Sequence, residues 1–112
     1  MSQRWRQVAT ATIAGDGTGT AEITPPTYSY YRTRLMRLNT TPASPGATAT
    51  IYRGDTGPTS EVEGSYSGDG DTSDTVIELE PGEQLLCFWA GATAGSSAMI
   101  RVEGTSSPDG QF

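Results

Sequence analysis

Residues 84–90 read QLLCFWA, the most apolar stretch of a chain of 112 residues. Side chains of an extended strand alternate between its two faces. Both faces are apolar here, since one carries Leu85, Cys87 and Trp89 and the other carries Leu86, Phe88 and Ala90. An antiparallel sheet normally keeps one face in water. This strand is therefore predicted to lie at the centre of a packed sandwich or to be covered on its outer face by another subunit.

The flanking residues continue the pattern of a β-protein. Pro81 and Gly82 stand where a type II turn requires them, which predicts a turn at 80–83 between strands at 75–79 and 84–90. After a second turn at 91–96, the stretch 97–103 alternates as a strand. Its inward face is predicted to carry Ala98, Ile100 and Val102.

Earlier in the chain the apolar period is again two, and no segment carries a helical stripe. Strands are predicted at 4–13, 20–24, 30–39 and 47–53, with one short strand around Val62 and Tyr66. The glycine-rich turn at 15–19 predicts a hairpin of the first two strands. The strand at 30–39 is predicted to place Arg32, Arg34, Met36 and Leu38 together on one face, opposite Tyr31, Thr33 and Leu35.

This pattern predicts an all-β fold, a single-domain antiparallel β-sandwich of jelly-roll-like or immunoglobulin-like form, over residues 1–103. A chain of 11.8 kDa is large enough for one hydrophobic core and too small for two. Residues 104–112 lack any pattern and are predicted to form an extended C-terminal arm, with Phe112 as a candidate anchor in a neighbouring molecule.

The composition argues against most enzyme chemistry. The chain has no histidine, no lysine and one cysteine, Cys87, so the usual general base, the Schiff-base amine and paired thiol ligands are missing. No activity, catalytic residue, metal or other cofactor is expected. Cys87, between Leu86 and Phe88, is interpreted as a small buried hydrophobe. The GxGxG motif at 15–19 is followed by no helix, which favours a turn over a dinucleotide-binding loop.

Two alternatives stay open at this point. Asp69, Asp71 and Asp74 lie in a glycine-flanked loop and either bind calcium or form a solvated acidic loop, although the EF-hand spacing is missing. The tyrosines and tryptophans either pack in the core and at interfaces, which is the favoured interpretation, or form a platform on which sugar rings stack.

Charge is divided along the chain, whose net charge is −6. Residues 1–54 carry six arginines against two acidic residues, and residues 55–112 carry one arginine against eleven acidic residues. The halves either interleave in one fold or form complementary faces for head-to-tail packing or docking on a larger assembly. An isoelectric point near 4.4 disfavours a nucleic-acid partner. No secretory signal or membrane-spanning run is seen, so synthesis in a cytoplasm is expected.

Two segments resemble small structural proteins of tailed bacteriophages, particularly those of actinobacterial hosts. They are IELEPGEQL at 77–85 followed by FWAG at 88–91, and PGATATIYRG at 45–54 together with the loop at 68–74. The resemblance covers about residues 30–104 and is one of turn pattern. It implies a β-sandwich or jelly-roll-like virion component present in many copies, either decorating the capsid exterior or attached to the tail. It carries over no catalytic residue.

The expected function is therefore that of a non-enzymatic virion structural protein, a capsid decoration (cement) protein or else a tail accessory protein. Sister subunits, with a trimer favoured, and a major capsid or tail protein are the expected partners, without nucleic acid or membrane. A carbohydrate-binding or host-recognition module is the alternative, and a bacterial surface subunit is a weaker one. The candidate interface residues are Arg32, Arg34, Met36, Leu38, Leu86, Phe88 and Phe112.

Overall fold

The computed structural model describes residues 3–54, 57–62, 66–68 and 70–112. Nine strands and one short 3₁₀ helix, Pro58–Ser60, are defined within these ranges. The strands are β1 (Gln3–Thr12), β2 (Gly19–Ile23), β3 (Tyr30–Thr41), β4 (Thr48–Arg53), β5 (Tyr66–Ser67), β6 (Gly70–Ser73), β7 (Glu78–Leu79), β8 (Leu85–Ala90) and β9 (Ser97–Ser107).

The strands form two antiparallel sheets that pack on each other around one core. Sheet A has the strand order β1-β9-β3-β6, and β7 also pairs with β3. Sheet B has the order β2-β8-β4-β5. The prediction of an all-β, antiparallel β-sandwich is confirmed.

The apolar stretch QLLCFWA supplies β8, which lies between β2 and β4 in sheet B. Its inward side chains, Leu85, Cys87 and Trp89, are fully buried. They share the core with the inward face of β9, where Ala98, Ile100 and Val102 are fully buried as predicted. The central position of this strand within sheet B of the sandwich is confirmed, because its hydrogen-bonding partners lie on both sides within one chain. Cover of its outer face by another subunit stays a prediction.

The predicted hairpin of the first two strands is wrong. β1 pairs with β9 in sheet A, whereas β2 pairs with β8 in sheet B. The end of β1 is held to the β8–β9 connection, because the Ile13 N–H donates to the Ser96 carbonyl over 2.9 Å. A tight turn follows, closed by hydrogen bonds from Ala14 N–H to the Thr18 carbonyl and from Gly17 N–H to the Ala14 carbonyl. This turn carries the chain from one sheet to the other.

Strand β3 contains a bulge where it pairs with β9. Thr33 lies opposite Gly104 and Leu35 lies opposite Glu103, so Arg34 is the extra residue. At this point the β3 main chain approaches β9 so closely that a Cβ atom on Gly104 would overlap the Arg32 carbonyl oxygen. Only glycine fits here, because it has no side chain. The close approach of the two main chains, and with it the bulge, depends on this residue.

The bulge reverses the alternation predicted for this strand. Tyr31 faces the core before the bulge, and Met36 and Leu38 face it afterwards, 0% and 2% exposed. Met36 and Leu38 therefore do not share an outer face with Arg32 and Arg34. Their assignment as candidate interface residues is wrong, because the extra residue shifts the phase of every side chain that follows it.

The strand predicted at 75–79 is shorter than expected, and only Glu78–Leu79 pairs as β7. The hydroxyl of Thr33 accepts a hydrogen bond from Ile77 N–H over 2.8 Å and donates to the Thr75 carbonyl over 2.9 Å. The Thr33 side chain thus takes the place of strand-pairing hydrogen bonds for Thr75 and Ile77, which precede β7. The turn at 80–83 forms as predicted, with Gly82 at a φ of 88° and a hydrogen bond from Glu83 N–H to the Glu80 carbonyl.

The C-terminal residues do not form the extended arm predicted for 104–112. β9 continues to Ser107 and remains paired with both β1 and β3 up to Ser106. Beyond it the chain folds back, because the Ser107 hydroxyl donates to Asp109 over 2.8 Å and accepts from Gln111 N–H over 3.1 Å. The Asp109 carboxylate accepts hydrogen bonds from the Ser107 hydroxyl and from Gln111 N–H, which lower its pKa. The strand lengthens because its neighbours offer pairing on both sides.

Candidate functional site: an arginine-rich sheet face

Arginine side chains are concentrated on the outer face of sheet A. Six of the seven arginines of the chain project from its strands, away from the core. We call this surface the arginine face and define it by Arg4, Arg6, Arg32, Arg34, Arg37 and Arg101. Two glutamates, Glu78 and Glu103, share the face, so it carries a net charge of +4 in a chain whose net charge is −6. The rest of the molecule is correspondingly acidic.

Strand geometry explains how the sequence builds this face. On β1, Arg4 and Arg6 point outward and Trp5 between them points inward. The ring centres of Trp5 and Tyr31 are 4.8 Å apart. On β3, the spacing from Arg34 to Arg37 is three residues, which would place them on opposite faces of a regular strand. The bulge at Arg34 resets the alternation, so both are exposed on the outer side.

Few of these positive charges are neutralised within the chain. Arg32 forms an ion pair with Glu78 at 2.7 Å, and Arg101 forms a longer one with Glu103 at 3.7 Å. Over residues 3–54, 57–62, 66–68 and 70–112, the other four arginines of the face form no ion pair within 4 Å. The exposed pairs contribute little to stability because water screens them. The face is therefore an open, positively charged surface.

One feature of the arginine face opposes folding. Arg37 on β3 lies directly opposite Arg101 on β9. Like charges at directly opposite positions of an antiparallel pair are destabilising. The repulsion is avoidable. Between the same two strands Arg32 lies opposite Thr105, a good strand former that carries no charge. The pair of arginines is therefore a local cost to the stability of sheet A.

A shallow depression of about 680 Å³ lies within the arginine face. It is lined by Arg4, Trp5, Arg6, Arg34, Glu103, Gly104 and Thr105. Three of the lining residues are arginines, whose planar, forked guanidinium donors match the geometry of carboxylates. The depression suits acidic side chains presented by another surface.

The C-terminal residue covers one end of the arginine face. The Arg32 guanidinium lies 4.7 Å from the centre of the Phe112 ring, a distance at which cation–π attraction operates. Gly110 lies against the ring of Tyr30. Phe112 thus contacts its own chain, whereas the sequence pattern suggested an anchor in a neighbour.

The structure separates the remaining candidate interface residues from the arginines. Leu86 and Phe88 lie on the outer face of sheet B, where Leu86 is 7% exposed and Phe88 is half-buried. Of the seven candidates, Arg32, Arg34 and Phe112 come together on sheet A. The other four arginines of the face, Arg4, Arg6, Arg37 and Arg101, are not among the candidates predicted from the sequence. The alternation of Arg4 and Arg6 on β1 was a detectable signal, but the position of Arg101 depends on strand pairing.

Asp71 and Cys87, two further residues considered for their chemistry, have structural surroundings. Asp71 accepts hydrogen bonds from Ser67 N–H (3.0 Å) and Thr72 N–H (2.8 Å), which shapes the turn between β5 and β6. Asp69 lies outside the described residues, and the described ones contain no group of three potential metal ligands. Burial raises the pKa of the Cys87 thiol, which keeps it protonated.

The aromatic residues do not assemble into one platform. Trp89 and Tyr31 are buried in the core, and Tyr66 donates from its hydroxyl to Ser73 over 3.0 Å. Tyr28 is exposed in the connection between β2 and β3.

In the described ranges, no helix is both long enough and apolar enough to cross a bilayer. A scan against models of known protein families and a search of curated protein sequences both find no match.

Proposed function

We propose that this protein is a non-enzymatic structural component of a tailed bacteriophage virion, a capsid decoration protein that binds the shell through the arginine face. The partner is an acidic surface of the major capsid protein, and a tail protein is the alternative location for the same contact. The observation that carries the proposal is the concentration of six of the seven arginines on one sheet face. Many copies bound in this way would stabilise a lattice by repeated weak contacts.

Two properties of the face support adhesion to a protein. Four of its guanidinium groups have no ion pair in the described part of the chain, so they are free to pair with carboxylates of a partner. The sheet also tolerates Arg37 opposite Arg101, a local cost in stability that a functional contact would explain.

The charge balance favours protein carboxylates over nucleic acid as the partner. Outside the arginine face, one arginine stands against eleven acidic residues. A polyanion such as DNA would be repelled by that part of the surface, since its binding depends on a field that extends well beyond single contacts. A folded protein surface presents carboxylates locally and avoids this repulsion.

The glycan-binding alternative has weaker support. Tyr30 and Phe112 line a second depression of about 550 Å³ together with Glu78, Glu80 and Glu83. One side of each ring is already covered, by Gly110 and by Arg32 respectively. Sugar stacking would need the remaining sides. Binding to host cell walls that is lost in Tyr30→Ala, with shell binding unchanged, would favour this alternative.

The proposal predicts that Arg37→Glu weakens binding to the shell by about tenfold or more, equivalent to at least about 1.4 kcal/mol. The same change is expected to raise the free energy of unfolding by about 0.2–1 kcal/mol, because a carboxylate replaces the arginine opposite Arg101. Binding is measured by cosedimentation with virions assembled without the protein, and stability by urea unfolding. Weaker binding from a more stable variant cannot be attributed to misfolding.

Arg53→Glu is the matched control, since Arg53 is the one arginine outside the arginine face and forms a long, exposed pair with Glu83 at 3.9 Å. It is expected to change binding to the shell by less than about twofold, equivalent to about 0.4 kcal/mol. Equal losses from Arg37→Glu and Arg53→Glu would show that net charge, and not the arginine face, controls binding. No binding by the unaltered protein would refute the shell-binding role.

A further inference from the structure

The long strand β1 forms one edge of sheet A, and its outer side has no partner strand among the described residues. Its ten residues pair with β9 in one unbroken register, from Gln3 opposite Ser106 to Thr12 opposite Ser97. Arg4 and Arg6 near its start are its only charged residues; it contains no proline, no bulge and no inward-pointing charge, the other features that protect an edge strand from pairing. A row of main-chain donors and acceptors is therefore left open along about 30 Å of strand.

The core is incompletely closed at this edge. Four successive inward-facing side chains of β1 are only half-buried, namely Trp5, Gln7, Ala9 and Ala11. Their neighbours on β9, by contrast, are fully buried. On the outer face, Val8 is 49% exposed. Another strand placed alongside β1 would cover both sets of side chains.

We propose that β1 pairs with β1 of a second copy of this chain, antiparallel and about a two-fold axis at Val8. This register places Val8 opposite the same residue of the partner and Trp5 opposite Ala11. The largest inward side chain of the strand then faces one of the smallest, so that the two complement each other in volume. The exposed valine is covered by its own copy.

Charge selects the antiparallel orientation, and strand length selects β1 of a second copy over the opposite edge of sheet A. A parallel pairing in register would bring Arg4 and Arg6 beside the same residues of the partner, which is unfavourable. In the antiparallel register, Arg6 lies opposite Thr10, and the two Arg6 residues are about 13 Å apart along the strands. That separation exceeds the Debye length of about 8 Å at physiological ionic strength.

The opposite edge of sheet A is formed by β6 and β7, which have four and two residues and are too short to pair with β1 along its length.

This seam makes a two-fold dimer in place of the trimer expected from the sequence. Sheet A then runs through both copies, with the two arginine faces on the same side. If the proposed function holds, the dimer would bind the shell at two points at once, and the second contact would form at a high effective concentration. The pairing itself does not depend on that function, because it follows from the free edge and the half-buried core.

Sedimentation velocity across micromolar concentrations tests the pairing. The unaltered protein is expected at about twice the chain mass of 11.8 kDa. Val8→Glu and Val8→Arg are each expected to be monomers, because like charges would meet at the two-fold axis. An equal mixture of the two variants is expected to restore the dimer. Val76→Glu alters a valine that is 59% exposed outside the seam and should leave the dimer unchanged.

Disulfide formation tests the register. Val8→Cys is expected to cross-link into covalent dimers on oxidation, since opposite Cα atoms of an antiparallel pair lie about 4.5–5.5 Å apart. Thr10→Cys should not cross-link, because the two positions are about 13 Å apart in this register. The buried Cys87 does not compete. A monomeric unaltered protein, a Val8→Glu variant that still associates, or efficient cross-linking through Thr10→Cys would overturn the proposal.

Discussion

Gly104→Ala is expected to prevent folding or to lower the free energy of unfolding by more than about 4 kcal/mol. A Cβ atom at this position would overlap the Arg32 carbonyl oxygen and lie 2.9 Å from its carbonyl carbon and 3.0 Å from the Thr33 Cα. All three obstacles belong to the main chain of β3, so no side-chain rotation can relieve them. β9 pairs here with β1 and β3 at once, and a shift of one ladder would disturb both.

Gly70→Ala is the matched control for this prediction. Gly70 also lies in sheet A, but a Cβ atom there would meet nothing within 4 Å in the part of the chain that the structure describes. The substitution is expected to change stability by less than about 1 kcal/mol. Thermal unfolding followed by circular dichroism measures both variants. A Gly104→Ala protein that is soluble and melts within a few degrees of the unaltered protein would show that β3 and β9 are not this close.

Trp89→Ala is expected to cost about 3–5 kcal/mol of unfolding free energy. Trp89 is the largest fully buried side chain, and it lies at the centre of sheet B between β2 and β4. Its indole N–H donates to the Gly68 carbonyl over 3.1 Å, so truncation would also leave a buried acceptor without a partner. Chemical denaturation of the variant and the unaltered protein, analysed with one common m-value, gives the difference in unfolding free energy.

Phe88→Ala removes the neighbouring aromatic ring and is the control, since Phe88 points to the opposite, half-buried face. It is expected to cost clearly less than Trp89→Ala, about 1–2 kcal/mol. Trp89→Phe removes the hydrogen bond to Gly68 and part of the ring volume but keeps an aromatic ring, and should cost less than Trp89→Ala, about 1–3 kcal/mol. If Phe88→Ala proved the more damaging of the two truncations, β8 would face the core with its other side.

The strands of the second half were largely predictable because their residues carry local signals. A continuous apolar run marks β8, alternation of apolar and polar residues marks β9, and Pro81 with Gly82 marks the turn before β8. β6 has the sequence Gly-Asp-Thr-Ser and forms only because β3 offers a partner. A strand stabilised by its neighbour leaves little trace in its own residues.

The errors of strand pairing and phase arise from contacts between distant residues. No local pattern tells that β1 pairs with β9 in place of β2, because either neighbour satisfies the alternation. The bulge at Arg34 depends on Gly104, seventy positions later in the chain. For that reason Met36 and Leu38 were placed on the wrong face, and the arginine face was visible from the sequence only in part.

A reconstruction of the decorated virion by electron cryomicroscopy is the most direct test of the proposed function. The outer face of sheet A is expected to lie against the shell, with Arg37 and Arg101 within ion-pairing distance of carboxylates of the capsid protein. Sheet B, with Phe88 on its outer face, should point away from the shell. Density that places sheet B against the shell and the arginine face in solvent would contradict the account.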